Sequence, residues 1–208
     1  MAERFSFYDM PIILIGMSIG GAMISKYVGE IGKHGDQNYY LQGKQYNVVA
    51  ALAVCPPNDF VKMVEHMNRS TYQKSIYQRD MCNDIKNYVL AHEPLQNLPN
   101  VDKKYVIDEN NISRFSRVIH FDEHIISKSN GYRSLHHYHI DTSAITWLPF
   151  APIPILVLST LDDPVIGRGV MPHRWKELCH NNPNIVYCES NYGGHMGFLS
   201  SPLAELKK

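Results

Sequence analysis

Short unbroken apolar runs divide the chain. Ile12 to Ile15 is the first, Val48 to Val54 the second and Ile153 to Ser159 the third, and a shorter one covers Asn184 to Cys188. Each has strand length, and the first three each meet a breaker: Gly16 closes the first, Cys55-Pro56-Pro57-Asn58 closes the second, and Pro152 and Pro154 open the third. Runs without polar alternation suit parallel strands buried on both faces. Between them the period changes. Residues 22–32 place Ile24, Tyr27, Val28 and Ile31 on one helical face, and Trp175 to Cys179 is helix-like. Alternation of strand and helix predicts an α/β fold with a mostly parallel sheet.

Two stretches depart from that rhythm. Lys33 to Gln45 reads as a polar loop. From Pro57 to Pro149 the chain is first polar and helical (Val61 to Ala91), then aromatic and rich in histidine, with no clean strand run. An interruption of that length exceeds an ordinary connection between strands. A helical cap insertion over about 58–149, inside one domain, is the economical reading.

Composition narrows the class. The 208 residues suit one sizeable core, and 44% hydrophobic content excludes disorder. Basic and acidic residues balance at 20 each with no basic block, which argues against nucleic acid as a partner. Cys55, Cys82, Cys179 and Cys188 are widely spaced and read as reduced thiols. The apolar stretch Pro11 to Ile24 covers 14 residues with three glycines, short of the roughly 20 that a membrane-spanning helix needs. It has no convincing signal-peptide features, so it reads as a buried strand and turn, and localisation stays unassigned.

The chemistry begins in that stretch. Gly16-Met17-Ser18-Ile19-Gly20 follows a strand and precedes a helix, the context a Gly-x-Ser-x-Gly nucleophile elbow requires. There a strained turn exposes the serine hydroxyl, and the following helix aims its first amides at the same spot. The flanking glycines are expected to remove colliding side chains. A serine nucleophile needs a base, and the base an orienting acid. Asp162-Asp163-Pro164 follows the third run and Gly193-Gly194-His195 the fourth, giving the chain order Ser, Asp, His. Either aspartate can supply the acid on this pattern alone.

Together, Gly16-Met17-Ser18-Ile19-Gly20-Gly21, Asp162-Asp163-Pro164 and Gly193-Gly194-His195-Met196-Gly197-Phe198-Leu199 resemble the YheT-like α/β-hydrolase family, which includes the α/β-hydrolase domain-containing proteins one to three. Lys26-Tyr27-Val28-Gly29-Glu30, Phe121-Asp122-Glu123, Gly131-Tyr132 and Tyr138 extend the resemblance, which runs from about residue 11 to 202. It implies a partial α/β-hydrolase fold, a mostly parallel sheet with a helical cap insertion. It also implies a serine hydrolase acting on carboxylic esters, lipid esters such as phospholipids or acylglycerols, through an acyl-enzyme on Ser18. By the same resemblance His195 is the base, Asp163 rather than Asp162 the acid, and the Ile19 N–H an oxyanion donor. No cofactor or metal is implied, and the substrate is a small lipid or ester.

The resemblance also implies that residues 1–208 match the C-terminal part of a single α/β-hydrolase domain. The strands before the nucleophile strand, a membrane anchor and the loop with a second oxyanion donor would have no counterpart. On that expectation the strand at Ile12 becomes an exposed apolar edge. Loss of one oxyanion donor lowers turnover on the order of 100- to 1000-fold. The alternative is then a non-catalytic product that binds lipid or protein, or has no function. Membrane contact would belong to a longer parent, and oligomeric state is open. His136, His137 and His139, with His120 and His124, invite a metal reading, but no Glu follows His120 as a His-Glu-x-x-His site requires. By the resemblance these are cap residues, and Asp122 holds a cap turn.

Overall fold

The computed structural model describes residues 10–35, 40–41, 44–45, 47–69, 71–92, 95, 98–101, 114–167 and 172–198. Leu199, the last residue of the glycine-histidine block, lies outside them. Two compact units emerge: Met1–Phe60 together with Thr142–Lys208, and Val61–Asp141.

The first unit is built on a four-stranded parallel sheet. Its strands are β1 (Ile12–Met17), β4 (Val48–Val54), β5 (Ile155–Thr160) and β6 (Ile185–Ser190), adjacent in that order. β1 runs past the Gly16 breaker because Gly16 and Met17 continue the pairing, opposite Ala53 and Val54. Helix α1 (Ile19–His34) follows β1, starting and ending beyond the 22–32 read from periodicity. The polar loop after it contains a two-stranded antiparallel pair, β2 (Tyr40–Leu41) and β3 (Lys44–Gln45), where no strand was expected. Helix α8 (Pro172–Asn181) joins β5 to β6. Strand order that advances with chain order puts successive right-handed crossovers on one side of the sheet.

That side is the core. Val28 of α1 and Trp175 and Leu178 of α8 pack with Ala51, Ala53, Ile155, Val157 and Ile185. Val28, Ala53 and Val157 are 0% exposed. Each valine buried this fully contributes about 1.5–3 kcal/mol. Trp175 stacks on Tyr187 at 4.2 Å and 8° between planes. Ala144, Ile145 and Leu148, in two 3₁₀ turns, join the same cluster, so the core includes residues that the sequence pattern placed in the insertion.

Among the described residues no helix covers the opposite side. Ile13, Ile15 and Met17 are 61%, 67% and 61% exposed, with Leu156 and Val186 on the same face at 39% and 50%. β1 ends the sheet, and an apolar groove of about 440 Å³ lies beside it, lined by Ile12, Leu14, Met23, Ile24, Tyr27 and Val48. The apolar runs therefore anticipate burial on two faces, while the described helices cover one.

The second unit is helical in its described residues. α2 (Phe60–Met67), which enters it, is followed by α3 (Thr71–Ser75), α4 (Tyr77–Ala91), α5 (Val118–Phe121), a π turn (Asp122–Ile126), α6 (Ser127–Ser129) and α7 (Leu135–Thr142). Its core gathers Cys82, Val89, Phe115, Phe121 and Ile125. Buried Asp122 meets buried His139 across 3.0 Å between Oδ2 and Nε2, tying the π turn to α7. His120 lies against Arg117 and the Ser116 N–H, and Arg117 and burial hold its pKa down, burial being the larger cause. Among the described residues no three acidic, histidine or cysteine side chains form a metal-binding group.

Candidate active site

The site is assembled at the carboxyl ends of the parallel strands, where open α/β sheets bind ligands. Backbone hydrogen bonds carry the ladder one step past the strands: Ser18 N–H donates to Val54 O (2.9 Å), Cys55 N–H to Leu158 O (2.7 Å) and Leu161 N–H to Ser190 O (2.9 Å). The three loops therefore leave the sheet at one level.

Ser18 turns from β1 into α1 with φ 51° and ψ −124°, a left-handed backbone that costs a non-glycine residue about 1–3 kcal/mol. The turn is closed by contact of its glycines. A Cβ on Gly16 would stand 2.4 Å from Gly20 O and one on Gly21 3.1 Å from Gly16 O, whereas one on Gly20 would meet nothing within 4 Å. The steric demand thus falls on Gly16 and Gly21, and Gly20 needs no glycine on that ground. Ile19 is the first residue of α1, and first-turn N–H groups have no intrahelical acceptor.

Three of the singled-out residues meet. Ser18 Oγ lies 2.8 Å from His195 Nε2, and His195 Nδ1 lies 2.8 Å from Asp163 Oδ2. The other Asp163 oxygen accepts the N–H groups of Val165 and Ile166, each at 2.8 Å. Three donors converge on a carboxylate only 5% exposed, which fixes its orientation. An ionised Asp163 holds the Nδ1–H tautomer and leaves Nε2 to accept from the serine hydroxyl.

Asp162 does something else. Its side chain is exposed, and its Oδ1 and Oδ2 accept the N–H groups of Gly194 (2.8 Å) and Gly193 (3.3 Å). Thr160, the last residue of β5, donates its hydroxyl to Gly194 O at 2.7 Å. Sequence reading passed over Thr160, and its only signal was its place at the end of a strand. Cys55 was read as part of a strand stop and as a reduced thiol, with no place in the site. It is buried, takes φ 45° and sits with Sγ 4.0 Å from Gly194 O. Burial raises its pKa, so it stays a neutral thiol. A cavity of about 30 Å³, lined by Asn58, Thr160 and Asp163 among others, lies beside the acid and has room for little more than water.

No family model matches the chain. Curated relatives do. Monoacylglycerol lipase ABHD2 of Homo sapiens is 23% identical over 191 residues, covering 90% of this chain and 42% of that protein. An abhydrolase domain-containing protein of Dictyostelium discoideum is 27% identical over 187 residues, covering 90% and 42%. The chain is related to the α/β hydrolases. Medium-chain fatty acid ethyl ester synthase/esterase 2 of Saccharomyces cerevisiae is 22% identical over 205 residues, covering 92% of this chain and 42% of that protein. The chain thus spans about 42% of the length of these relatives. A solved esterase structure from Pyrococcus furiosus aligns at TM-score 0.46 and 11% identity over 99% of this chain and 53% of that one. Among the described residues no helix is long and apolar enough to cross a membrane.

Proposed function

We propose that the chain carries the catalytic residues of a serine hydrolase of carboxylic esters, of the YheT-like branch of the α/β hydrolases. The observation that carries the reading is the unbroken hydrogen-bonded line Ser18–His195–Asp163 on three strand-end loops. In the proposed reaction Ser18 Oγ attacks the ester carbonyl while His195 Nε2 takes its proton. The Ile19 N–H faces the oxyanion as it forms. Imidazolium then protonates the leaving alcohol, and an acyl-enzyme remains on Ser18. Water, deprotonated by His195, releases the acid and restores the serine. Asp163 stabilises the imidazolium through Nδ1–H and stays ionised throughout.

Lipid esters are the proposed substrate class. The relatives' names support this: one is a monoacylglycerol lipase and another a fatty acid ethyl ester synthase/esterase. The helical unit Val61–Asp141 is proposed as a cap-type insertion between β4 and β5 of a single hydrolase domain. One observation favours a second reading, a lipid- or protein-binding module without turnover: the uncovered apolar face carrying Ile13, Ile15, Met17, Leu156 and Val186. Hydrolysis of p-nitrophenyl and monoacylglycerol esters of graded acyl length separates the two. Release of acid that Ser18→Ala abolishes supports the hydrolase. Release that survives Ser18→Ala contradicts Ser18 as the nucleophile, and no release from any ester favours the binding module.

A further inference from the structure

We infer that Asp162 is a positioning residue for His195, acting through the Gly193-Gly194 turn, and this inference rests on the hydrolase reading above. The geometry begins with a distance the chain must cross. Ser18 follows β1 and His195 follows β6, the two outer strands of the four-stranded sheet. Three interstrand steps of about 4.8 Å separate strands so placed, roughly 14 Å. The loop after β6 must therefore run back over the ends of β5 and β4 to bring the imidazole to the serine.

Its backbone shows how hard that turn is. Gly193 and Gly194 have φ 150° and 55°, and Met196 and Phe198, which carry side chains, have φ 66° and 39°. Internal bonds to Gly193 O from the Gly197 and Phe198 N–H groups (2.8 and 3.0 Å) close the tip. They do not tie it to the sheet. That tie comes at Gly194, immediately before His195. Asp162 takes its N–H at 2.8 Å, the Thr160 hydroxyl takes its carbonyl at 2.7 Å, and the Cys55 thiol lies 4.0 Å from that carbonyl. Gly193 is confined as well: a Cβ there would stand 2.8 Å from Thr160 Cγ2.

Consecutive aspartates thus do complementary work. Asp163 points inward and holds the imidazole ring, while Asp162 points outward and holds the backbone from which that ring hangs. An exposed side chain fills no core, so its two bonds to backbone N–H groups act on the loop. Misplacement by about 1 Å costs a reacting group on the order of 100-fold in rate.

Two measurements on the full 208-residue chain test the inference. The first needs no catalysis: the amide resonance of Gly194 is followed by ¹⁵N NMR from pH 6 to pH 2. A shift that follows the Asp162 carboxyl and vanishes in Asp162→Asn is expected. A resonance that does not titrate, or titrates unchanged in Asp162→Asn, overturns the clamp. The second compares fluorophosphonate labelling of Ser18 and ester turnover in Asp162→Ala and Asp162→Asn. Expected are labelling and kcat lowered roughly 10- to 100-fold with KM within about twofold, the asparagine variant less affected because it keeps one acceptor. A merely structural role would instead lower the titrated fraction of reactive sites while those remaining react at the wild-type rate, and that result overturns the inference. Failure of the wild type to label at Ser18 defeats the hydrolase reading and, with it, a role for Asp162 in that reaction. The Gly194 titration then still decides whether the clamp exists.

Discussion

Ser18 Oγ and His195 Nε2 are hydrogen-bonded at 2.8 Å although 177 residues and the width of the sheet separate them. Asp163, on the loop after the inner strand β5, completes the line from the far side of the ring. Neutralising that carboxylate while keeping its shape leaves the packing in place and removes the charge that fixes the Nδ1–H tautomer. Asp163→Asn is expected to fold with little change in thermal midpoint and to lose about 10⁴-fold in kcat, as measured by ester turnover alongside thermal unfolding.

The two glycines that bracket Ser18 are expected to behave oppositely. A Cβ on Gly16 lands 2.4 Å from a backbone carbonyl, where no rotamer can relieve it, and Gly16→Ala is expected to destabilise by about 1–3 kcal/mol. At Gly20, in the first turn of α1, a Cβ meets open space, and Gly20→Ala is expected to be neutral or to stabilise by up to about 1 kcal/mol. Denaturant unfolding of both variants checks the pair.

Much of this arrangement was legible in the sequence. Val48–Val54 coincides with its apolar run because every residue is apolar and Cys55-Pro56 ends the pairing. The elbow was legible because Ser18 stands between a run of strand length and a helical period. The division of labour between Asp162 and Asp163 was not. Adjacent acids look alike in a pattern, and only the fold turns one inward and the other toward Gly194. Nor was the uncovered face legible, because Ile12 to Ile15 is apolar at every position while only alternate residues meet helices. Ala144 to Leu148 lay in a stretch without strand character, and its burial depends on contacts distant in sequence.

Acid should loosen the loop before His195. The Gly194 N–H, followed by that of Gly193, holds the Asp162 carboxyl below its ordinary 3.8. A depressed carboxylate contributes stability fully above its unfolded value, and that contribution is lost as pH falls through the lower folded value. In thermal melts between pH 6 and pH 2, wild type is therefore expected to lose more stability on the acid side of 3.8 than Asp162→Asn does. Parallel curves would show that the carboxylate contributes nothing to the fold.

The four thiols should react in order of exposure. Cys188 is exposed, whereas Cys55 and Cys82 are each 1% exposed and burial raises both their pKa values. Only the thiolate reacts readily, so iodoacetamide at pH 8 is expected to modify Cys188 first and Cys55 and Cys82 only on unfolding. Peptide mass spectrometry over time reads the order.

The most direct measurement is the site of covalent modification by a fluorophosphonate. One adduct on Ser18 is expected in the full chain, found by peptide mass spectrometry, absent in Ser18→Ala and strongly slowed in His195→Ala. Modification spread over other hydroxyls, or labelling of Ser18 at the same rate without His195, would contradict a serine made nucleophilic by this histidine.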